Sequence, residues 1–361
     1  MNYFKTLLLG LFFILTLFGT KAATLVANNN PGAPTGTNVY TTLQAAINAS
    51  SAGDVIYVVP SQVIYDDVTI DKSLTLLGAG FRPDKDLSIP SEVADISIEA
   101  NDVRISGLVS ANTWYMGWNQ NTETYTNITI ENCRFGRLRM SSTNNATISN
   151  LLVRNCIITA TGGTYDAKAF DLYVTSNVII TNNLINTSCC SNSGIKATGV
   201  TFSYNIIRYH GDDGNVGNTF AEIDACLFEY NIFYGSTQKV PANSSNNTFN
   251  YNLSFANKGD HAFDQIGDAN GNTGVGNVAG GDPEFANLPL GANWSNGYDI
   301  SLGATSAADN IDGTGGIAGP TGGLTPWDPD GSLLPTIQSI TLPSVIPVGD
   351  DLNVNIKGKG N

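Results

Sequence analysis

The chain is short of charge. Of its 361 residues only 13% are Asp, Glu, Lys or Arg, against about a quarter in an ordinary soluble domain. A coiled coil or helical bundle draws on Lys, Glu and Arg, so both are excluded. Basic residues are the scarcest, 17 against 31 acidic, for a net charge of −14. Nucleic-acid recognition needs a basic patch or stripe, and the sequence offers none, so nucleic acid is not an expected partner. The same balance disfavours bulk attraction to acidic polysaccharides or anionic membranes and leaves only a local basic site to hold one. Histidine occurs twice. The five cysteines (Cys133, Cys156, Cys189, Cys190 and Cys226) follow no zinc-ligand spacing, so no metal centre is expected. Their odd number leaves at least one thiol free, and they do not form a stapled scaffold. Beyond the first 22 residues no apolar run is long enough to span a bilayer.

Glycine (38 residues) and asparagine (about forty) are abundant, and 42% of the chain is hydrophobic, with many Val and Ile. That combination describes a turn-rich all-β protein with a large core. Met1 to Ala22 reads as a secretory leader. Lys5 is followed by an apolar run from Leu7 to Phe18, then by the small residues Thr20 and Ala22. The expected organisation is a leader over 1–22, a β-helix over 23–333 and a short strand tail over 334–361. Export to the cell exterior or surface follows, and loss of Lys5 and Lys21 would deepen the charge to −16.

Six segments of the centre align without gaps, from Ile130 to Phe135, Val153 to Ile158, Ile180 to Ile185, Phe202 to Ile207, Phe228 to Phe233 and Phe249 to Ser254. Their fourth positions are Cys133, Cys156, Asn183, Asn205, Asn231 and Asn252. Steps of 21 to 27 residues between them are the period of stacked supersecondary units. Each unit holds an alternating strand such as Ile128-Thr-Ile130. One such strand cannot bury its face alone, whereas rungs stacked at about 4.8 Å can. The fourth positions then form a ladder, in which inward asparagines satisfy their own amides and the adjacent backbone. Cys133 and Cys156 fill the same slot as buried, stacked thiols. Glu131 and Arg154 fall outside on neighbouring rungs, where they pair weakly. Thr42 to Ile47 reads as a short Thr-capped helix that covers the first rung. The stretches 276–278, 282–285 and 298–302 read as late, degenerate rungs, and 337–342 with 352–356 as a strand pair.

Thr42 to Asn48, Ala52 to Val58 and Val68 to Gly78 together resemble the opening of right-handed parallel β-helix proteins of the pectin-lyase-like superfamily. Gly281 to Phe285 with Tyr298 to Leu302 is similar to closing turns of that superfamily in secreted bacterial proteins. The resemblance implies an all-β, right-handed parallel solenoid with an N-terminal capping helix. It implies no single function, since the fold hosts lyases, hydrolases, esterases and adhesins.

Long stretches follow the ladder positions, at 136–147, 159–177, 186–199, 208–224 and 234–247, and are expected to leave one corner as a wall of loops. The richest runs from Arg208 to Asn215. Here His210 is a candidate general base, and Asp212 with Asp213 a carboxylate pair or calcium ligands, with Lys168, Asp171 and Lys196 on preceding loops. Gly211 to Asp213 is similar to the paired aspartates of polygalacturonase-like hydrolases, but the other signatures of that group are absent. So are those of pectin methylesterases and pectate lyases. Trp114, Tyr115, Trp118 and Tyr125 form an aromatic group between rungs that can stack on sugar rings, or of which one or two pack down as a loop core. Residues 268–272 bear a faint calcium-loop pattern without its closing Glu; no other cofactor is implied. The expected function is binding or surface display at the cell exterior, towards a polysaccharide or cell-surface component. A polysaccharide lyase or glycoside hydrolase using His210, Asp212, Asp213 and Lys196 is the alternative. A structural module of a surface assembly is the third reading.

Overall fold

The computed structural model describes residues 22–34, 36–81, 89–118, 123–140, 146–160, 168–173, 175–188, 194–210, 219–235, 244–256, 271–290, 295, 297–327, 336–341 and 355–359. Most of the leader, Asp212, Asp213, Cys189, Cys190 and most of the 268–272 pattern lie outside them.

The chain is a parallel β-solenoid. Among the described residues, sheet I has twelve strands and sheets II and III have seven each, and in the central rungs the chain visits I, II and III in turn. One rung runs from Thr147–Arg154 in sheet I to Ile157–Thr159 in sheet II and Lys168–Leu172 in sheet III. All pairings within the three sheets are parallel between strands and keep apolar residues in register. Ile130, Val153, Ile180, Phe202, Phe228 and Phe249 thus form one inward column of sheet I. Phe202, Phe228 and Phe249 stack with ring centroids 4.9 Å apart, a face-on offset that the rung spacing dictates.

The corner between sheets I and II is tight. After sheet I comes a residue with positive φ, at Asn132, Asn155, Asn182, Tyr204, Tyr230 and Tyr251, and then an inward ladder residue. The ladder of the sequence is present and one rung longer, ending at Asn277. Each side-chain oxygen accepts the backbone N–H of the ladder residue on the preceding rung, from Cys156 to Asn183 at 2.8 Å through to Asn252 to Asn277 at 2.9 Å. A second ladder, unread in the sequence, stands at the corner between sheets III and I. There Cys226 N–H donates to Asn247 Oδ1 and Asn247 N–H to Asn272 Oδ1, both at 2.9 Å. Cys133, Cys156 and Cys226 are buried free thiols, and burial pushes Cys226 up to about 11.

Helix α1, Leu43–Ala49, is capped by Thr42, whose Oγ1 accepts from Ala45 N–H at 3.1 Å. It buries Leu43, Ala46 and Ile47 on the first rungs, as its sequence pattern required.

Three expectations are corrected. The first four long stretches after the ladder are not loops throughout, because each contains a sheet III strand: Arg137–Met140, Lys168–Leu172, Gly194–Thr198 and Phe220–Asp224. Residues 282–285 and 298–302 are not rungs. Four central sheet II strands carry consecutive apolar residues, at 157–158, 184–185, 206–207 and 232–233, of which one points in and one out; with Leu253 on the next rung, Ile157, Leu184, Ile206 and Ile232 make an outward apolar column. The described parts of 281–327 lie along it as a strap, packing Leu288, Ala308, Ala318 and Phe285 onto that column. Asn182 Nδ2 holds it through Pro320 O and Gly322 O at 2.9 and 2.8 Å, and Tyr230 donates to Asp312 at 3.0 Å. Glu131, finally, is not an exposed partner. It is buried between Arg104 and Arg154, each of which donates two hydrogen bonds of 2.5 to 2.8 Å. The tail strands Thr336–Thr341 and Asn355–Lys359 pair antiparallel.

Candidate functional site

The outer face of sheet III carries the densest polar chemistry. Period-two alternation sends Trp114, Met116, Leu138, Phe170, Leu172 and Ile195 into the core, and their neighbours out. Register then lines up Ser97, Tyr115, Arg139, Asp171, Lys196 and Glu222 as one column, one residue per rung. Thr113 and Arg137 form the next column towards sheet II.

The group read as a loop of aromatics is divided by this alternation. Residues 113–116 are a sheet III strand, not a loop. Trp114 is fully buried and stacks on Phe135 at 4.7 Å. Tyr125 is buried and donates to Glu99 at 3.0 Å; burial, then Glu99, raises its pKa. Neither presents a face to a ligand, because both sit at inward positions. Tyr115 points out, half-buried, and its ring meets that of Trp118, 44% exposed, at a centroid separation of 4.5 Å.

Beside Tyr115 lies a polar hollow of about 380 Å³, lined by Asp95, Asn112, Thr113, Tyr115, Gly136 and Arg137 among others. Gly136 forms part of its wall at a point where a Cβ would sit 2.6 Å from Asn112 O, so the two rungs can approach this closely only through glycine. Burial, with Asp67 nearby, raises the Asp95 carboxyl. A guanidinium, a carboxyl, an amide and a ring edge around such a volume suit a hydroxyl-rich ligand of one or two sugar rings.

Lys196 is placed on this face, not on a loop. Its Nζ pairs with Glu222 at 2.7 Å and lies 5.0 Å above the Tyr173 ring. Asp171, one rung below, is only 1% exposed. Arg139 reaches it at 3.3 Å and Lys168 at 3.8 Å. Sequence reading named Lys168 and Asp171 only as neighbours of the His210 stretch. The signal that would have found them is the alternation of 168–172 and 194–198 as strands.

His210 closes the sheet II strand Ile206–His210, its backbone paired with Ser188. The next described strand is the sheet III strand Phe220–Asp224; Asp212 and Asp213 lie outside the described residues. Arg208, in the same strand as His210, is buried under the strap. Its Nη2 donates to Pro289 O at 2.9 Å, and the guanidinium lies 5.8 Å from the Tyr298 ring centre; burial lowers its pKa. It belongs to the strap packing rather than to a surface site.

Among the described residues no three His, Cys, Asp or Glu side chains converge as metal ligands, and no helix is long and apolar enough to cross a membrane. No protein-family model matches this chain, and a search of curated proteins finds no match.

Proposed function

We propose that this is an exported member of the pectin-lyase-like parallel β-helix superfamily that binds carbohydrate at the cell exterior without cleaving it. The observation that carries the reading is the paired Tyr115 and Trp118 rings on the outer face of sheet III, adjoining a hollow lined by Asp95, Asn112 and Arg137. Sugar rings present apolar C–H faces and a girdle of hydroxyls; aromatic rings take the former and fixed polar side chains the latter. A regular flat face, one residue per 4.8 Å or so along the coil, also matches a linear polymer better than a compact metabolite. The partner is a polysaccharide or a glycan of the cell surface.

The test is a binding titration of the purified protein against a panel of neutral and acidic polysaccharides. Trp118→Ala and Tyr115→Ala should each weaken binding about tenfold with unchanged thermal stability, since base- or sugar-stacking rings contribute on the order of 1–3 kcal/mol. Equal binding by both variants would sink the reading.

The placement of Lys196 on this same face supports a second reading, a polysaccharide lyase or hydrolase that uses it with His210, Asp212 and Asp213. Reducing-end release from the same panel separates the two. Release that is lost in His210→Ala replaces binding by catalysis.

A further inference from the structure

We infer that the outer face of sheet I is a contact between two copies of this chain, packed face to face with their coil axes antiparallel. Sheet III lies outside that contact, so the inference stands apart from the carbohydrate reading.

The face is built from two outward columns. Register places one residue of the first column on each of eleven rungs, from Thr24 and Val55 through Leu152, Ile179 and Leu227 to Thr273. Six of the eleven are Thr, four are Val, Leu or Ile, and one, Arg104, is charged. The second column runs beside it from Val26 to Val275 and holds Glu131, Arg154 and Glu229. Two basic and two acidic residues leave the pair of columns with no net charge, on a chain that carries −14. Copies of so acidic a chain repel one another, and least where they meet through a neutral face.

The middle of the first column is apolar. Leu152 and Ile179 are neighbours in register there, and Ile179 is 38% exposed. Aliphatic and β-branched side chains on alternate positions are what a second sheet packs against, at about 10 Å. The threonines do not oppose this. Thr248 and Thr273 lie 3.4 Å apart through their Oγ1 atoms and bond to each other along the coil, so these hydroxyls need no partner across a dry contact.

A second copy is the occupant because the face complements itself under a twofold axis. Let the axis run along the strands, between Leu152 and Ile179. Leu152 of one copy then faces Ile179 of the other, and Thr129 faces Thr201. Arg104 faces the rung of Leu227 and Glu229, on both sides of the axis, so opposite charges meet twice. Parallel pairing of the same faces would set Arg104 on Arg104 and Glu229 on Glu229. The antiparallel overlap covers ten rungs, about 43 Å at 4.8 Å per spacing, and two side-chain columns are about 14 Å across. That is about 600 Å² of projected area per copy, and corrugated side chains bury more than their projection, which approaches the 800 Å² or so per partner of a standard interface.

The experiment is sedimentation velocity of the full protein over a range of concentrations. It should be dimeric by about 10 μM, since interfaces of this size are micromolar or tighter. Ile179→Lys sets two like charges beside the axis in a desolvated contact and should weaken association about a hundredfold or more, with the thermal midpoint retained. Lysine lowers the net negative charge, so loss of the dimer is not general repulsion between acidic chains. Ile64→Lys replaces another exposed aliphatic, on the connection between the strands Val55–Val58 and Val68–Ile70, and should leave association unchanged. Diamide oxidation reads the register. Thr129→Cys mixed with Thr201→Cys should give a disulfide-linked pair. Trapping of Thr129→Cys with itself instead overturns the antiparallel arrangement. A monomer at about 100 μM, well above the weakest association expected of such a contact, overturns the proposal. So does a dimer that Ile179→Lys leaves intact, or one that Ile64→Lys breaks equally well.

Discussion

Substituting Asn231 by alanine tests whether the amide ladder holds the solenoid together or only decorates its corner. The Asn231 side chain takes part in four hydrogen bonds. Its Oδ1 accepts from Asn205 backbone N–H and from Asn205 Nδ2, both at 3.0 Å, and its Nδ2 donates to Phe202 O at 2.9 Å and to Asn252 Oδ1 at 3.0 Å. All four partners are sealed from water. Alanine leaves the Asn205 backbone donor and the Phe202 carbonyl short of a partner, and one amide hydrogen of Asn205 as well. At about 1–3 kcal/mol for each buried group left unsatisfied, with partial relaxation, the loss is about 3–5 kcal/mol. Asn277 makes the matching control, since it accepts from Asn252 N–H and donates to Phe249 O in the same way but stands at the wetter end of the ladder. Water can replace its bonds, so Asn277→Ala should cost about 1–2 kcal/mol. Urea titration followed by far-UV circular dichroism and tryptophan emission reads both. A solenoid is a row of neighbour contacts, so a central defect should also split the transition. Hydrogen exchange should then place the lost protection on Val200–Ser203, Leu227–Glu229 and Thr248–Asn250. The reasoning is refuted if Asn231→Ala is no more destabilising than Asn277→Ala.

Glu131→Gln should cost about 2 kcal/mol in the same urea assay, because it leaves the two guanidiniums that now clamp a buried carboxylate facing a neutral amide; the arginines are partly exposed and can rehydrate, which keeps the loss below that of a fully buried pair. Burial raises the Cys226 thiol from 9.0 to about 11. The folded state therefore keeps a proton that the unfolded state loses. Stability should be intact below pH 9, fall by about 2 kcal/mol as the pH rises from 9 to 11, and flatten beyond; Cys226→Ala should shrink that slope, and a slope unchanged by the substitution would count against the assignment. Ending the chain after Gly280 removes the strap and exposes Ile157, Leu184, Ile206, Ile232 and Leu253; the product should bind a hydrophobic dye and self-associate in light scattering, whereas a monodisperse, dye-silent product would mean that the column needs no cover.

The inner ladder was legible because its geometry leaves a covalent trace. A corner that must bend through positive φ and then turn an amide inward writes a fixed pair of positions into every rung, whatever the length of chain between them. Asn182-Asn183, Tyr204-Asn205 and Tyr230-Asn231 are that pair. The capping helix was legible for the same reason, as a local pattern with its own cap. The strap left a trace that went unread. Ile157-Ile158, Leu184-Ile185 and Ile206-Ile207 put two large apolar residues in succession on a strand, and a strand with one wet face has no use for the second. The segment that covers them gave no strand or helix pattern to detect, since residues 281–327 hold their place by Asx turns and glycine-dependent contacts such as Asp312 accepting from Thr314 and Gly316. The second ladder begins with a cysteine and has only two asparagines, too few to reveal a period.

The sheet III face was misread for a different reason. Its residues are not clustered in the sequence; Tyr115, Arg139, Asp171 and Lys196 are separated by 24, 32 and 25 positions. Only the register of the coil brings them to successive rungs. Net charge averages over all 361 residues and so points away from any anionic ligand. A solenoid defeats that average, because one outward column samples a single residue from each rung and can hold a charge opposite to that of the whole. The useful quantity in such a fold is the charge of a column on one sheet. For sheet III that column alternates, with a buried carboxylate at its centre and cations on both sides of it. A contiguous aromatic motif drew the eye to Trp114 and Tyr125, which the pleat turns inward, while the residues that share a face with Tyr115 were scattered over three further rungs.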